Sequence, residues 1–233
     1  MRNRIPVNRY LGMHTRRIYF YKMTVDDGGA PCCTFGRSGL WSLAICKPMI
    51  RGKAQKGDVV IGFASRQLDP SKQYGVVHIA ELNESPVSGL EYYAPKSRYA
   101  KRDDCIYEID GADYRRRRGA RYHTEDDMDH DLGPAPKRIR ARVLVSRNFR
   151  FFGRRPPQVD WRRYRALRKR LETLRQGHRV YHAERLCEEL ETLAAALFRR
   201  PFVRNPPHHR SASCSADDDD TSGVCGDCPR AGQ

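Results

Sequence analysis

The rhythm of apolar and polar positions changes along this chain, and the changes mark its elements. Residues 18–25 read Ile-Tyr-Phe-Tyr-Lys-Met-Thr-Val, a dense run of aromatic and branched side chains that predicts a strand. Asp26-Asp27-Gly28-Gly29-Ala30-Pro31 ends it with strong turn chemistry. Short apolar runs at 40–46, 59–64 and 74–82 predict three more strands, with Lys56-Gly57-Asp58 as the turn into the middle one and 67–73 as a polar loop. A short helix is expected at 89–94. The arginine run 115–118 and the acid-rich stretch 122–132 read as loops. Strand character returns at 142–146 and 149–153, which are expected to add edge or closing strands to the same core. Short strands joined by turns predict an α+β fold: a mainly antiparallel sheet, open or barrel-like, over about 15–155.

From Asp160 the period becomes helical. Trp161, Tyr164, Leu167, Leu171 and Leu174 recur at three and four, with Asp160 placed to cap the start and Gly177 to stop the helix. Leu186, Leu190, Leu193 and Leu197 mark a second helix. The two predict a helical hairpin over 159–204 whose apolar face covers the sheet. Residues 205–233 are rich in Pro, Ser and Asp without periodicity, and are expected to be disordered. Residues 1–17 read as a basic extension.

Charge sharpens this division. The chain has 233 residues and a formal net charge of +16. Residues 135–205 hold 20 Lys or Arg against 6 acids, whereas 206–233 hold 2 against 5. A positive field concentrated on the helical segment attracts polyanions, and DNA, RNA or a nucleotide is the partner it implies. No apolar run reaches the roughly 20 residues that cross a bilayer. Residues 1–9 lack the apolar stretch and cleavage site of a secretory signal. A cytoplasmic location without membrane partners is the expectation. Eight cysteines are too few here for a disulfide scaffold, and Cys46, Cys105 and Cys187 read as small buried residues.

Several of these pieces together resemble a known family. Asp27-Gly28-Gly29-Ala30-Pro31 is similar to the aspartate-glycine-alanine-proline turn of the nucleotide modification associated domain family, type 2. Leu43-Ala44-Ile45-Cys46-Lys47-Pro48-Met49-Ile50-Arg51, then Ala54 and Gly57-Asp58-Val59-Val60-Ile61-Gly62, is similar to the most distinctive block of that family. Glu91-Tyr92-Tyr93, Asp104-Cys105-Ile106-Tyr107 and Arg142-Val143-Leu144-Val145-Ser146 follow in the same order, so the resemblance covers about 18–155. Cys32-Cys33 departs from the family pattern, as does Glu108, which stands where a histidine is usual. The resemblance implies association with DNA or nucleotide modification systems of bacteria and phages, and supplies no reaction.

Candidate chemistry is spread over several places. Lys47 and Arg51, four apart around Pro48, are placed to grip one phosphate, with Asp27 orienting a base or sugar; alternatively Asp27 and Asp58 only cap their own turns. Trp41, Tyr107 and Phe149 are candidate base-stacking platforms, or simply core. Cys32, beside Cys33, is a candidate nucleophile with His123 or His78 as base. Glu125, Asp126, Asp127, Asp129, His130 and Asp131 form either a metal-binding loop or an exposed acidic one, and His208, His209, Cys214, Cys225 and Cys228 are a sparse zinc set in the tail. Arg162, Arg163, Arg165 and Lys169 either track a phosphate backbone or pair with Glu184, Glu188, Glu189 and Glu191 of the next helix. The leading reading is a binder of nucleic acid or nucleotides carrying a modified base within a DNA modification or anti-phage defence system; the alternatives are an enzyme that edits or removes such a modification and a structural protein docking an acidic subunit.

Overall fold

The computed structural model describes residues 16–70, 74–175 and 177–202. The expected basic extension, apart from its last two residues, lies outside the described residues. So do the expected disordered tail and its zinc candidates.

Strand β1 (Ile18–Met23) leads through the glycine-rich turn to β2 (Cys32–Thr34) and β3 (Leu40–Leu43). Helix α1 (Pro48–Lys53), β4 (Val59–Ala64) and β5 (Val76–Glu81) follow. Next come β6 (Val87–Ser88), α2 (Gly89–Tyr92), β7 (Tyr107–Asp110) and β8 (Asp113–Arg116). A 3-10 turn at Glu125–Asp127 runs into α3 (Met128–Leu132), and β9 (Arg142–Ser146) and β10 (Asn148–Phe151) follow. The described chain closes with α4 (Arg165–Thr173), β11 (His178–Arg179) and α5 (Glu184–Phe198).

Among the described residues the strands form two main sheets and a hairpin, and no closed barrel. One sheet runs β10-β5-β4-β1-β11, the other β2-β3-β9-β6, while β7 and β8 pair with each other. Pairing is antiparallel except between β1 and β4, which run parallel with Ile18 opposite Val59. The barrel alternative thus gives way to two stacked sheets, because β9 and β10 join different sheets instead of closing one. A bend at Arg147 passes the chain from one to the other, and Ser146 Oγ accepts the Asn148 N–H at 3.0 Å.

Alternation along the strands decides what each face meets. Ile18 and Phe20 of β1, with Val59, Ile61 and Phe63 of β4, point to one side. There they meet Leu167 and Leu171 of α4 and Leu186, Leu190, Leu193 and Leu197 of α5. Tyr19, Tyr21 and Met23 point to the other side and pack between the sheets with Trp41, Leu43, Leu144 and Phe149. The outer face of the second sheet, from Leu40 to Val145, is covered by a tyrosine-rich group. Tyr92 stacks on Tyr99 with centroids 4.6 Å apart, and Tyr107 meets Tyr93 edge-on at 5.5 Å.

Several local expectations change. The arginine run is no loop: Arg115 and Arg116 lie in β8, paired with β7. The acid-rich stretch carries the 3-10 turn and α3, because Thr124 and Asp127 form a capping box. The first C-terminal helix starts at Arg165, not beside Asp160, whose carboxylate instead accepts the Arg162 N–H at 3.1 Å. Glu189 of α5 supplies the missing cap, accepting the Leu167 N–H at 2.8 Å. Gly177 has a positive φ of 116°, but β11 intervenes before α5 and pairs with β1. Cys187 is exposed, contrary to its expected burial.

Leu190 is fully buried between α5 and the first sheet. Leu190→Ala is expected to lower unfolding stability by about 2–5 kcal/mol, read as a lower urea midpoint. An unchanged midpoint would show that the helix does not share the core of the sheet.

Candidate active site

The second sheet ends at a sharp junction. After β3 the chain passes through Ala44 and Ile45 to Cys46 and Lys47, and Pro48 then starts α1. Cys46 (φ 57°) and Lys47 (φ 43°) are both left-handed, a conformation that costs a non-glycine residue about 1–2 kcal/mol. Such strain persists only where neighbours hold it. The Cys46 N–H donates to Asp131 Oδ1 at 2.8 Å, and its carbonyl accepts from Arg51 Nε at 2.7 Å. Lys47 O accepts the N–H groups of Ile50 and Arg51, each at 3.0 Å. Proline suits the first helical position because it has no N–H to lose there.

His123 meets this junction from the other side. Its Nε2 lies 3.2 Å from Cys46 Sγ, and its Nδ1 lies 2.7 Å from Asp131 Oδ2. His123 is itself left-handed (φ 55°). Asp131 also accepts the Tyr107 hydroxyl at 2.9 Å and lies 3.7 Å from the Arg51 guanidinium. All three members are at least nine-tenths buried, Cys46 with 1% of its surface exposed. Burial by itself would raise the Asp131 carboxyl; hydrogen bonding and charge from His123, then Arg51 and Tyr107, hold it below the ordinary carboxylate value. An ionised Asp131 fixes the proton on Nδ1 and turns the Nε2 lone pair toward sulfur. A thiol, an imidazole and an orienting carboxylate are thereby aligned in the order that nucleophilic catalysis requires.

The cysteine that lies beside His123 is Cys46, while the candidate Cys32 sits elsewhere. Cys32 is buried on β2, where its carbonyl accepts from Arg102 Nη2 at 2.9 Å. Burial, and then the charge of Asp104, push its thiol pKa upward. Neither candidate histidine meets it. His78 lies in β5, where its Nε2 is 2.9 Å from the Tyr21 hydroxyl.

Arg51 lies inside the fold. It is fully buried, and its guanidinium donates to the carbonyls of Cys46 (2.7 Å), Arg140 (2.9 Å), Arg142 (2.7 Å) and Asp131 (2.6 Å). A phosphate grip with Lys47 would need those donors. Lys47 places Nζ 4.9 Å from the centre of the Tyr21 ring. Trp41, Tyr107 and Phe149 are fully buried within the core clusters. Asp27 is half-buried; its Oδ1 accepts the Gly29 N–H at 3.0 Å, and its carbonyl accepts from the Tyr122 hydroxyl at 3.5 Å. That tyrosine precedes His123, so the glycine-rich turn packs beside the constellation.

The acidic stretch disperses. Asp127 caps Thr124, Asp129 pairs with Arg138 and Asp131 joins His123. Among the described residues, no group of three or more His, Cys, Asp or Glu is arranged to hold a metal ion. Arg162, Arg163, Arg165 and Lys169 are exposed. Arg162 pairs with Asp160, while Arg163, Arg165 and Lys169 have no ion pair among the described residues. No helix of the described residues is long and apolar enough to cross a membrane.

What these residues define is a two-sheet α/β protein with a buried cysteine–histidine–aspartate constellation at a strand-to-helix junction. The chain belongs to the nucleotide modification associated domain 2 family, whose model matches residues 15–212. The match runs past the resembling blocks and takes in α4 and α5. No curated protein and no solved structure matches the chain.

Two measurements check this geometry. Replacing the fork of donors by one ammonium, Arg51→Lys, leaves buried carbonyls unmet and is expected to cost about 3 kcal/mol or more; a wild-type urea midpoint would contradict the structural role. The second concerns pH. Burial lowers the His78 pKa to about 3, whereas the unfolded chain takes up that proton near 6.5. Stability is therefore full above about pH 6.5 and falls as the pH drops toward 3. His78→Gln should flatten part of that fall, and an equally steep profile in the variant would contradict it.

Proposed function

We propose that this chain is a thiol-dependent enzyme that edits or removes a base modification. The observation that carries the reading is the aligned set Cys46, His123 and Asp131, joined by contacts of 3.2 and 2.7 Å and drawn from two separate stretches of chain. Family membership supplies the context of nucleotide modification. The geometry supports the thiol chemistry.

His123 takes the Cys46 proton as the sulfur bonds to an electrophilic carbon of the modification. The displaced group leaves with that proton. Water then attacks the same carbon, giving its proton to His123, and the carbon–sulfur bond breaks to return the thiol. Asp131 stays ionised and steadies the imidazolium in both halves.

A second reading, recognition of nucleic acid without turnover, is favoured by Arg163, Arg165 and Lys169, which are exposed and without an ion pair among the described residues. Product separates the two. DNA carrying modified bases, incubated with the protein and analysed as nucleosides by mass spectrometry, should lose or change the modification. Cys46→Ala should abolish that product, and His123→Ala should slow it by about 10²–10⁴-fold, the share general acid–base catalysis commonly supplies. Turnover by Cys46→Ala at the wild-type rate would overturn the assignment. Binding without any product would favour recognition.

A further inference from the structure

A cleft on the helix side of the first sheet is unrelated to the thiol chemistry. It opens where the parallel strands β1 and β4 end, and α4 closes one side. Its volume is about 410 Å³, and its walls include Lys22, Ser65, Arg66, Tyr74, Glu172 and Arg175. A void of this size falls within the range that holds small ligands, about 300–1,000 Å³.

The charge inside it is unbalanced. Lys22, Arg66 and Arg175 have no ion pair among the described residues. Glu172 is the one acid of the named walls, and Arg168 already holds it at 3.1 Å. Lys22 is half-buried against Tyr74, its Nζ 5.9 Å from the ring centre. Its pKa is lowered by burial and then by the charge of Arg66, so the two cations feel each other across the cleft. Ser65 is buried, and its Oγ accepts the Leu68 N–H at 3.2 Å while keeping its own proton to donate. A bound anion relieves the repulsion and meets that hydroxyl.

Helix α4 shows what kind of anion. Arg165 and Lys169 stand one turn apart on its exposed surface, ahead of Arg175. At about 1.5 Å per residue, the eight steps of α4 from Arg165 to Thr173 span roughly 12 Å, with Arg175 two residues past its end, long enough for successive phosphates of a strand. We propose that this cleft binds a phosphate of a nucleic acid or nucleotide, with Lys22, Arg66 and Arg175 as its cations. The assignment does not depend on Cys46.

Binding of a fluorescein-labelled single-stranded oligonucleotide, followed by anisotropy across a salt series, tests it. Arg66→Gln/Arg175→Gln changes exposed side chains only and should fold as wild type. It should weaken binding about ten-fold and lower the slope of log Kd against log salt by about one, as expected for losing a phosphate contact. Cys46→Ala should bind as wild type, so failure of the thiol mechanism leaves this result standing. Competition by a mononucleotide would assign the cleft to a terminal phosphate, and competition by oligonucleotides alone would assign it to the strand backbone; both outcomes support it. Wild-type affinity and salt slope in the double variant, with loss confined to Arg163→Gln/Lys169→Gln, would overturn it.

Discussion

One guanidinium, that of Arg51, sets the position of nearly everything around the thiol. It rises from α1 and closes on carbonyls from the β3–α1 junction, from α3 and from the approach to β9. A group of this kind is tolerated inside a protein only when its donors are met and its charge is balanced, and here both conditions hold. The balancing charge is Asp131, the residue that orients His123. The left-handed backbone at Cys46 is held by the same two residues. The fold of this junction and the proposed chemistry therefore share a single network.

A second buried carboxylate does comparable work nearby. Asp104 accepts from Ser42 Oγ, from Tyr92 at 2.8 Å and from Arg102 at 3.3 Å. Arg102 in turn reaches the carbonyls of Cys32 and Leu40. The outer face of the second sheet is thus built on tyrosines and paired charges, where aliphatic packing would be the usual solution. That choice ties the layer together through directional bonds.

Much of the strand pattern was legible, because alternation and turn residues act locally: β1, β4, β5, β9 and β10 all fall where runs of branched and aromatic residues end at turn chemistry. The leucine period found α5 within a few residues. Long-range partners were not legible. The division into two sheets depends on which strand each of β9 and β10 chooses. The late start of α4 depends on a glutamate supplied by α5. At the site, His123 was noted for its chemistry, but Asp131 was hidden in a run of acids and Cys46 looked like filler in an apolar stretch. The usable signal was Pro48 two residues after that cysteine, at a strand-to-helix turn where a non-glycine pair had to go left-handed. Charge composition was read correctly as a surplus, and only the structure divides that surplus between arginines spent inside, such as Arg51 and Arg102, and those left facing water.

The parallel pairing of β1 with β4 has a consequence for how the molecule assembles. Neighbours in that ladder, Ile18 and Val59, are far apart along the chain, and no tight turn can join parallel strands. The connection between them holds β2, β3, the cysteine junction and α1. Loop closure of that length is entropically unfavourable until the connecting segment is compact. The central ladder of the larger sheet therefore closes a long loop, and the segment ordered by that closure is the one that bears the sulfur.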